Sequence, residues 1–268
     1  MYGVAGHSIF RRGFPAILLI GSSYMSKKTA LIVSAHAADF VWRAGGAIAA
    51  HAAKGYEVTV VCLSFGERGE SAKLWKQQGM TLERVKEGRK AEARAAAKVL
   101  GVSELIFFDL GDYPLHIDET AMNRLVDVFR NVQPQFVVSH SLEDPYNTDH
   151  PAATRMTLDA RMIAQAWGHK PGEKILGAPQ VYLFEPHQTE QCHWKPDIIL
   201  DITDVWDKKQ AAIECMKGQE HLWAYYTNVA ENRGNQFRRN SGGQAGGRPA
   251  RYAEAFQSIF PKTVDELS

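Results

Sequence analysis

The chain has 268 residues, of which 45% are hydrophobic and 23% are charged, and its formal net charge is +1. This length and composition fit one large globular α/β domain or at most two small domains. A charge so close to neutral excludes a broad basic surface for nucleic acid or for an anionic membrane. No apolar run approaches the ~18 residues that span a bilayer. We therefore expect neither nucleic acid nor a membrane as a partner.

The three cysteines argue against a disulfide framework. Cys62, Cys192 and Cys215 are far apart and odd in number, and no CxxC pair suggests a zinc site built from thiolates. Cys62 lies in an apolar run, where a cysteine acts as a small core residue. A reducing, cytoplasmic location is the expectation.

The N-terminus resembles a secretory signal only superficially. Arg11 and Arg12 precede an apolar patch at residues 16–20, which is shorter than the ~7–15 apolar residues of such a signal. Regular patterning begins near Met25. We predict that residues 1–24 are an N-terminal extension with little ordered structure, and that residues 25–268 form a single α/β domain.

The hydrophobic pattern alternates between strand-like and helix-like periods. The first two apolar runs, 29–35 and 56–64, enclose a helical pattern that ends at Gly55, which predicts a right-handed βαβ unit. Further strands are predicted over residues 104–110, 135–140, 180–186 and 197–203. Further helices are predicted over residues 81–101, 119–132, 152–168, 205–219 and 221–234. The Gly-rich segment 240–256 predicts a mobile loop.

This order of elements predicts a Rossmann-like α/β fold with a mostly parallel sheet flanked by helices. It does not predict dinucleotide binding, because no GxGxxG follows the first strand. His36 and Asp39 stand there instead.

Two loops at strand ends carry histidine and aspartate together. His36 and Asp39 follow the first strand, whereas His140, Asp149 and His150 follow the fourth. Taken singly, each histidine is a structural residue and each aspartate a helix N-cap. Because parallel strands place their carboxyl ends at one edge of a sheet, both loops are expected to open on one crevice. Two histidines and one carboxylate would leave a coordination position free, as in catalytic zinc sites.

The same loops resemble a known family. "AHAADF" (35–40) is similar to the AHPDDE motif of the LmbE/PIG-L zinc deacetylases, and "NTDHPAA" (147–153) is similar to their second metal motif. "SFGERGES" (64–71) and "RKAEARAAAKVLG" (89–101) resemble two further family segments. The agreement extends from about Lys28 to Thr203.

The resemblance implies an LmbE/PIG-L type fold and one Zn²⁺ ion per chain, held by His36, Asp39 and His150. One departure concerns the chemistry. The family position of the general base that activates water is occupied here by Ala38, which cannot accept a proton. The chain therefore keeps the implied metal ligands and lacks the deacetylase base.

The segments "GDYPL" (111–115) and "QEHLWAYYT" (219–227) are similar to the hydratase branch of that family. The resemblance implies a metal-dependent enzyme that adds water to the C=C bond of 4-oxalomesaconate, a small tricarboxylate of gallate and protocatechuate catabolism. We also expect a homo-oligomer.

Three residues are candidates for proton transfer in such a reaction. His187 follows a predicted strand, and Glu70 and Glu67 lie in a Gly-bounded loop on the same rim of the sheet. A histidine with an ordinary pKa suits proton transfer at neutral pH. The alternatives are a loop histidine, an exposed charge at Glu70 and a backbone-bound carboxylate at Glu67. His193 is a rival to His187.

Candidates for binding the substrate carboxylates are Arg43 and Arg68, since arginine pairs with carboxylates through two hydrogen bonds. Tyr146 and Asn147 are candidate donors to substrate oxygens. Arg89 is a further candidate, although its spacing from a glutamate three residues later equally indicates a structural ion pair.

Two other functions remain open at this point. One is an LmbE-type N-deacetylase of amino sugars, against which Ala38 argues. The other is a metal-binding or scaffold protein without catalytic activity.

Overall fold

The computed structural model describes residues 27–242 and 249–263. The N-terminal extension predicted for residues 1–24 lies outside these ranges, as does part of the predicted Gly-rich loop. The described ranges contain no helix that is both long enough and apolar enough to cross a membrane.

One mixed sheet forms the centre of the fold. Its strands are β1 (Thr29–Ser34), β2 (Glu57–Cys62), β3 (Glu104–Phe107), β4 (Phe136–Ser139), β5 (Gln180–Phe184), β6 (Ile198–Asp201) and β7 (Ala253–Ser258). The order across the sheet is β3-β2-β1-β4-β5-β7-β6. Every neighbouring pair is parallel except the two pairs that contain β7. The prediction of a mostly parallel sheet flanked by helices is confirmed.

Helices cover both faces of this sheet. They are α1 (Asp39–Ala53), α2 (Ala72–Trp75), α3 (Leu82–Leu100), α4 (Glu119–Val132), α5 (Asp149–Gln165), α6 (Trp206–Cys215) and α7 (Trp223–Asn240). One apolar cluster joins the sheet to α1, α3, α6 and the start of α7. A second cluster joins the opposite face to α4 and α5.

The ends of the two best-predicted helices follow from local hydrogen bonds. At the start of α3 the Thr81 hydroxyl accepts a hydrogen bond from Arg84 N, and α3 ends at Gly101 with φ 80°. A left-handed residue at this position favours glycine. Asp118 caps α4 by accepting from Ala121 N at 2.7 Å. The predictions of helices over 81–101 and 119–132 are confirmed.

The prediction of a loop over residues 240–256 was wrong at its end, where β7 begins at Ala253. The sequence of this strand, AEAFQS, contains two alanines and a glutamate, residue types that are depleted in strands. Pairing with β5 on one side and β6 on the other stabilises the strand. Glu254 is buried in the strand because Lys209 pairs with it at 2.5 Å.

The strand order creates the crevice that the functional loops share. β1 lies between β2 and β4, and the helices that follow β1 and β4, α1 and α5, pack on opposite faces of the sheet. The connections therefore diverge at the carboxyl ends of β1 and β4, which is where ligands bind in open α/β sheets. The loops after these strands touch, since Ala35 N donates to His140 Nε2 at 2.9 Å.

A close approach of α7 to the chain before β7 gives a test of the fold. A Cβ atom at Gly234 would lie 2.0 Å from the carbonyl oxygen of Arg251. Alanine is favoured over glycine within a helix by about 1 kcal/mol, yet here the clash with backbone dominates. We expect Gly234→Ala to lower the free energy of unfolding by about 1–3 kcal/mol in denaturant titrations. Gly168→Ala, where nothing lies within 4 Å, is the control, and equal midpoints for both variants would contradict this packing.

Candidate active site

Four side chains at the crevice bring their ligand atoms together. One oxygen or nitrogen of each of His36, Asp39, Glu70 and His150 lies within 4.8 Å of the others. The two loops predicted to meet therefore do so. Glu70, considered from the sequence as a proton-transfer group, joins the three implied ligands.

His36 is held by carboxylates on both of its nitrogens. Nδ1 lies 3.2 Å from Asp39 Oδ2 and 3.2 Å from Glu70 Oε1. Nε2 lies 3.2 Å from Asp149 Oδ2. When Nε2–H donates to Asp149, Nδ1 carries its lone pair towards the cluster, which is how a carboxylate orients a metal-binding histidine.

Asp149 does not cap its own helix. Thr148 occupies the N-cap position, and the Asp149 carboxylate instead accepts hydrogen bonds from Tyr113 N at 2.9 Å and Leu115 N at 3.0 Å. These contacts fix the carboxylate that orients His36.

His150 is oriented in the same way by a residue that was not predicted. Its Nδ1 lies 2.8 Å from Asp144 Oδ2, and its Nε2 lies 3.7 Å from Asp39 Oδ1. The His140 ring stacks on His150 with centroids 4.1 Å apart. Because His140 Nε2 accepts from the Ala35 amide, His140 supports the cluster as a neutral ring.

Unpaired buried atoms test whether the cluster fits a metal ion. His36 Nδ1, His150 Nε2 and Glu70 Oε2 are buried and lack a hydrogen-bond partner among the described residues. Each such atom costs about 1–3 kcal/mol when it stays unpaired. A divalent cation would satisfy the two histidine nitrogens, and histidine with carboxylate is a donor set that zinc accepts. The residues fit the implied ion.

The charges of the cluster also favour a bound cation. Burial alone would lower the pKa of His36, but Glu70, Asp149 and Asp39 together raise it well above its usual range. A site that retains a proton so strongly attracts positive charge. Burial and the neighbouring His140 lower the pKa of His150 well below its usual range, which keeps that ring in the neutral form that binds metals.

A cavity of about 190 Å³ opens onto this cluster. Its walls include two of the implied ligands, five other predicted residues and several that were not predicted. The lining residues are Asp39, Trp42, Arg43, Glu70, Tyr113, Asp144, Tyr146, Asn147, His150, His187, Gln219, Leu222 and Tyr226.

His187 reaches the cavity, whereas its rival does not. The His187 residue is exposed overall, but its ring packs on Tyr225 and Tyr226, with centroids 4.8 and 5.4 Å away. Burial of the ring and the positive charge of Arg43 lower the pKa of His187 to about 4. The ring is therefore neutral at pH 7. His193 is exposed and does not line the cavity.

Two predicted residues lie outside the cavity wall. Glu67 is fully buried, and its carboxylate accepts from Phe65 N at 3.1 Å with Lys86 Nζ 3.8 Å away. Arg68 is exposed and donates through Nη1 to the Asp112 carbonyl oxygen at 2.9 Å. Both side chains thus fix the loop after β2, which is the structural alternative for Glu67.

Arg43 is a buried wall of the cavity. Its Nη1 donates to the Glu185 carbonyl oxygen at 2.7 Å, and its Nε lies 3.6 Å from Asp39 Oδ1. Asp39 is thus shared between this guanidinium and the ligand cluster. Arg43 thus places positive charge beside the cavity.

Asn147 and Tyr146, the candidate donors to substrate oxygens, also line the cavity. Asn147 Nδ2 donates to Tyr113 Oη at 3.1 Å and lies 3.5 Å from Glu70 Oε1. Tyr146 is 59% exposed, at the mouth. A Cβ atom at Gly69 would lie 2.0 Å from the Tyr113 ring. The ring can therefore occupy this position only because residue 69 is a glycine.

The sequence missed several wall residues: Trp42, Tyr113, Asp144, Gln219, Leu222 and Tyr226. Asp144 had a usable signal, because a carboxylate near a ligand histidine is a common orienting partner. Tyr226 stacks on Trp42 at 5.1 Å, a contact between distant segments that no local pattern predicts.

Comparison with known proteins places this fold and site in a family. Residues 31–161 match the PIG-L family, described as GlcNAc-PI de-N-acetylase. A 4-oxalmesaconate hydratase from Pseudomonas putida is 62% identical over 242 residues, which cover 90% of this chain and 93% of the relative. The chain belongs to the PIG-L family, and the resemblance seen in its motifs is confirmed.

Solved structures of similar proteins have the same fold. The crystal structure of a 4-carboxy-2-hydroxymuconate hydratase from Pseudomonas putida KT2440 is 62% identical with a TM-score of 0.87, covering 90% of this chain and 100% of that one. A diacetylchitobiose deacetylase from Pyrococcus horikoshii shares the fold, with a TM-score of 0.71 at 22% identity over 87% of this chain and 84% of that one.

The role of Asp144 gives a prediction about metal affinity. Its Oδ1 accepts from Tyr146 N and Asn147 N, and its Oδ2 faces His150 Nδ1. Asp144→Asn keeps an oxygen for the backbone but turns an amide N–H towards His150, which moves the imidazole proton to Nε2. We expect zinc affinity, measured by chelator competition, to fall by about 10–100-fold.

Asp127→Asn is the matched control, since Asp127 forms an exposed ion pair with Lys170. Equal zinc affinity in the two variants would show that Asp144 does not orient a metal ligand.

Proposed function

We propose that the chain is a hydro-lyase that adds water to the C=C bond of 4-oxalomesaconate. The observation that carries the proposal is the 62% identity, over 90% of the chain, to a 4-oxalmesaconate hydratase. The structural relative at the same identity is named for 4-carboxy-2-hydroxymuconate. The two names describe the ketone and the enol of one tricarboxylic acid, so both support the same substrate.

We propose that one Zn²⁺ ion is held by His36, Asp39 and His150. Two observations support this assignment. Nδ1 of His36 and Nε2 of His150 have no hydrogen-bond partner among the described residues. One ligand atom of each of the three residues lies within 4.8 Å of the others. When bound, zinc supplies Lewis acidity that polarises the oxygens of a keto acid.

Glu70 is assigned the role of the base that accepts a proton from the attacking water. Burial alone would raise its pKa, but His36 lowers it on balance, so the carboxylate is ionised at neutral pH. It lies among the ligand atoms, next to where a nucleophile would be held. Ala38, fully buried ahead of α1, offers no proton acceptor at the position that the deacetylases use.

His187 is assigned the second proton-transfer role. Water addition places oxygen on one carbon of the double bond and a proton on the other. A neutral imidazole can take up a proton and return it within one turnover. The Tyr226 hydroxyl, 3.2 Å from His187 Nε2, fixes the ring against the cavity wall.

Binding of the substrate is assigned to Arg43, Tyr146 and Asn147, which line the cavity. We further propose that the enzyme serves gallate and protocatechuate catabolism in the cytoplasm, which the three free cysteines support. Self-association into a homo-oligomer stays a prediction.

The first test measures reaction and metal together. The purified protein should bleach the absorbance of the conjugated 4-oxalomesaconate and contain about one zinc ion per chain. His150→Ala should lose most of both, because it removes a ligand, whereas His221→Ala, at an exposed site, should lose neither. Undiminished zinc in His150→Ala would rule out the ligand assignment, and acetate release from N-acetylglucosamine derivatives without bleaching would favour a deacetylase.

The second test concerns the proton-transfer groups. His187→Ala should lower turnover by ~10²-fold or more with zinc retained, whereas His193→Ala, outside the cavity, should keep near-native turnover. The neutral His187 base is present above a pKa of about 4 and is lost as pH falls through it. The acid limb that His187 contributes to kcat/KM should therefore lie near pH 4 and vanish in His187→Ala.

Glu70→Gln separates its two conceivable roles. A comparable loss of turnover with full zinc content supports proton transfer. Loss of zinc from this variant would instead make Glu70 a metal ligand and overturn its assignment as the base.

A further inference from the structure

Gln219 is a cavity residue to which neither the motifs nor the proposed reaction gives a role. It lies in the 3₁₀ turn Lys217–Leu222 between α6 and α7. Its side chain is 6% exposed, and it lines the same cavity as the ligand cluster.

Arg89 fixes which way the Gln219 amide points. Arg89 is fully buried in α3, and its Nη2 donates to Gln219 Oε1 at 2.6 Å. A guanidinium group has only donors, so the amide oxygen must face Arg89. The NH₂ group of Gln219 is thereby turned away from α3.

The residues that the structure describes leave that NH₂ group without a hydrogen-bond acceptor. Among residues 27–242 and 249–263, no hydrogen bond from Gln219 Nε2 exists. An amide NH₂ group that borders an open cavity can donate to an acceptor on a ligand. Since Gln219 borders the cavity, a ligand there is the acceptor that would satisfy it.

The turn that carries Gln219 is clamped to α3. Glu92 accepts from Arg89 Nη1 through Oε2 at 2.7 Å and from Gly218 N through Oε1 at 2.7 Å. Arg89 Nε also donates to the Phe65 carbonyl oxygen at 3.3 Å. The ion pair expected as an alternative for Arg89 is therefore present, and it holds the amide in place before any ligand arrives.

The charge of the cavity favours a neutral donor. Three carboxylates line it, those of Asp39, Glu70 and Asp144, and among the described wall residues Arg43 is the one side chain with a permanent positive charge. Arg43 already donates to Glu185 O. A ligand with three carboxylates needs further donors, and an amide NH₂ supplies two N–H groups.

We propose that Gln219 Nε2 binds a carboxylate of the substrate and that Arg89 acts as its positioning residue. The inference rests on the proposed function for the identity of that substrate. Gln219 thus contributes to the specificity for a tricarboxylate over acids that lack the corresponding group.

Gln219→Glu separates this role from a structural one. The new carboxylate keeps an acceptor for Arg89 and so preserves the clamp, but it has no donor and repels an anionic ligand. We expect KM for 4-oxalomesaconate to rise by about 10–100-fold, with kcat changed less than about threefold and an undiminished melting temperature. The dissociation constant of tricarballylate, an unreactive tricarboxylate, should rise by a similar factor in calorimetry.

Gln210→Glu is the matched control. It adds the same charge at an exposed site of α6 outside the cavity, and its KM should stay native. Gln219→Met, which has neither donor nor charge, should also raise KM.

Arg89→Lys tests the positioning role. It should raise KM with kcat retained, and it should add little to the effect of Gln219→Met in the double variant. Independent, additive effects would show that Arg89 does not act through Gln219.

The outcomes are distinct. Native KM and native tricarballylate affinity in Gln219→Glu would overturn the inference, as would a fall in kcat at unchanged KM. A wild-type protein that does not hydrate 4-oxalomesaconate would refute the proposed function. In that case tricarballylate binding still decides whether Gln219 binds a carboxylate.

Discussion

The convergence of buried carboxylates on His36 is the constraint on which the site depends. Asp39, Glu70 and Asp149 each lie 3.2 Å from one of its nitrogens, and such a group of anions is stable only around positive charge. The sheet order makes the convergence feasible, because the chain diverges between β1 and β4. Backbone N–H groups then hold two of these carboxylates: His36 N donates to Asp39, and Tyr113 N and Leu115 N donate to Asp149.

A metal site of this kind fixes less of the chemistry than its ligands suggest. Ala38 stands where the deacetylases place a base, and it is fully buried. In the proposed hydration, proton transfer is then left to groups on the cavity wall, where Glu70 and His187 lie. Under the proposed function, the chain keeps the implied metal ligands and assigns proton transfer to groups other than the residue at position 38.

The sequence predicted those elements whose periodicity and end residues lie within the element itself, and it missed features that depend on contacts with distant segments. The strands before His36 and His140, and helices α3 and α4, carry their own periodicity and end signals, so the meeting of the two loops was predictable. β7 was missed because neighbouring strands stabilise an alanine-rich segment. Gln219 was missed because its orientation depends on Arg89, 130 residues away in the chain, and an amide has no strong local pattern.

The use of neutral donors follows from the need to keep the metal ligands free. A second arginine in the cavity would pair with Glu70 or Asp39, because these carboxylates are close and poorly solvated. It would then compete with a metal ion for the same oxygens. Arg43 limits this competition, because its Nη1 donates to the Glu185 carbonyl and its Nε contacts Asp39 only at 3.6 Å. Arg89 instead orients the neutral amide of Gln219, so its positive charge stays away from the carboxylates of the cluster. In the proposed function, this neutral donor helps a cavity lined by carboxylates to bind an anionic substrate.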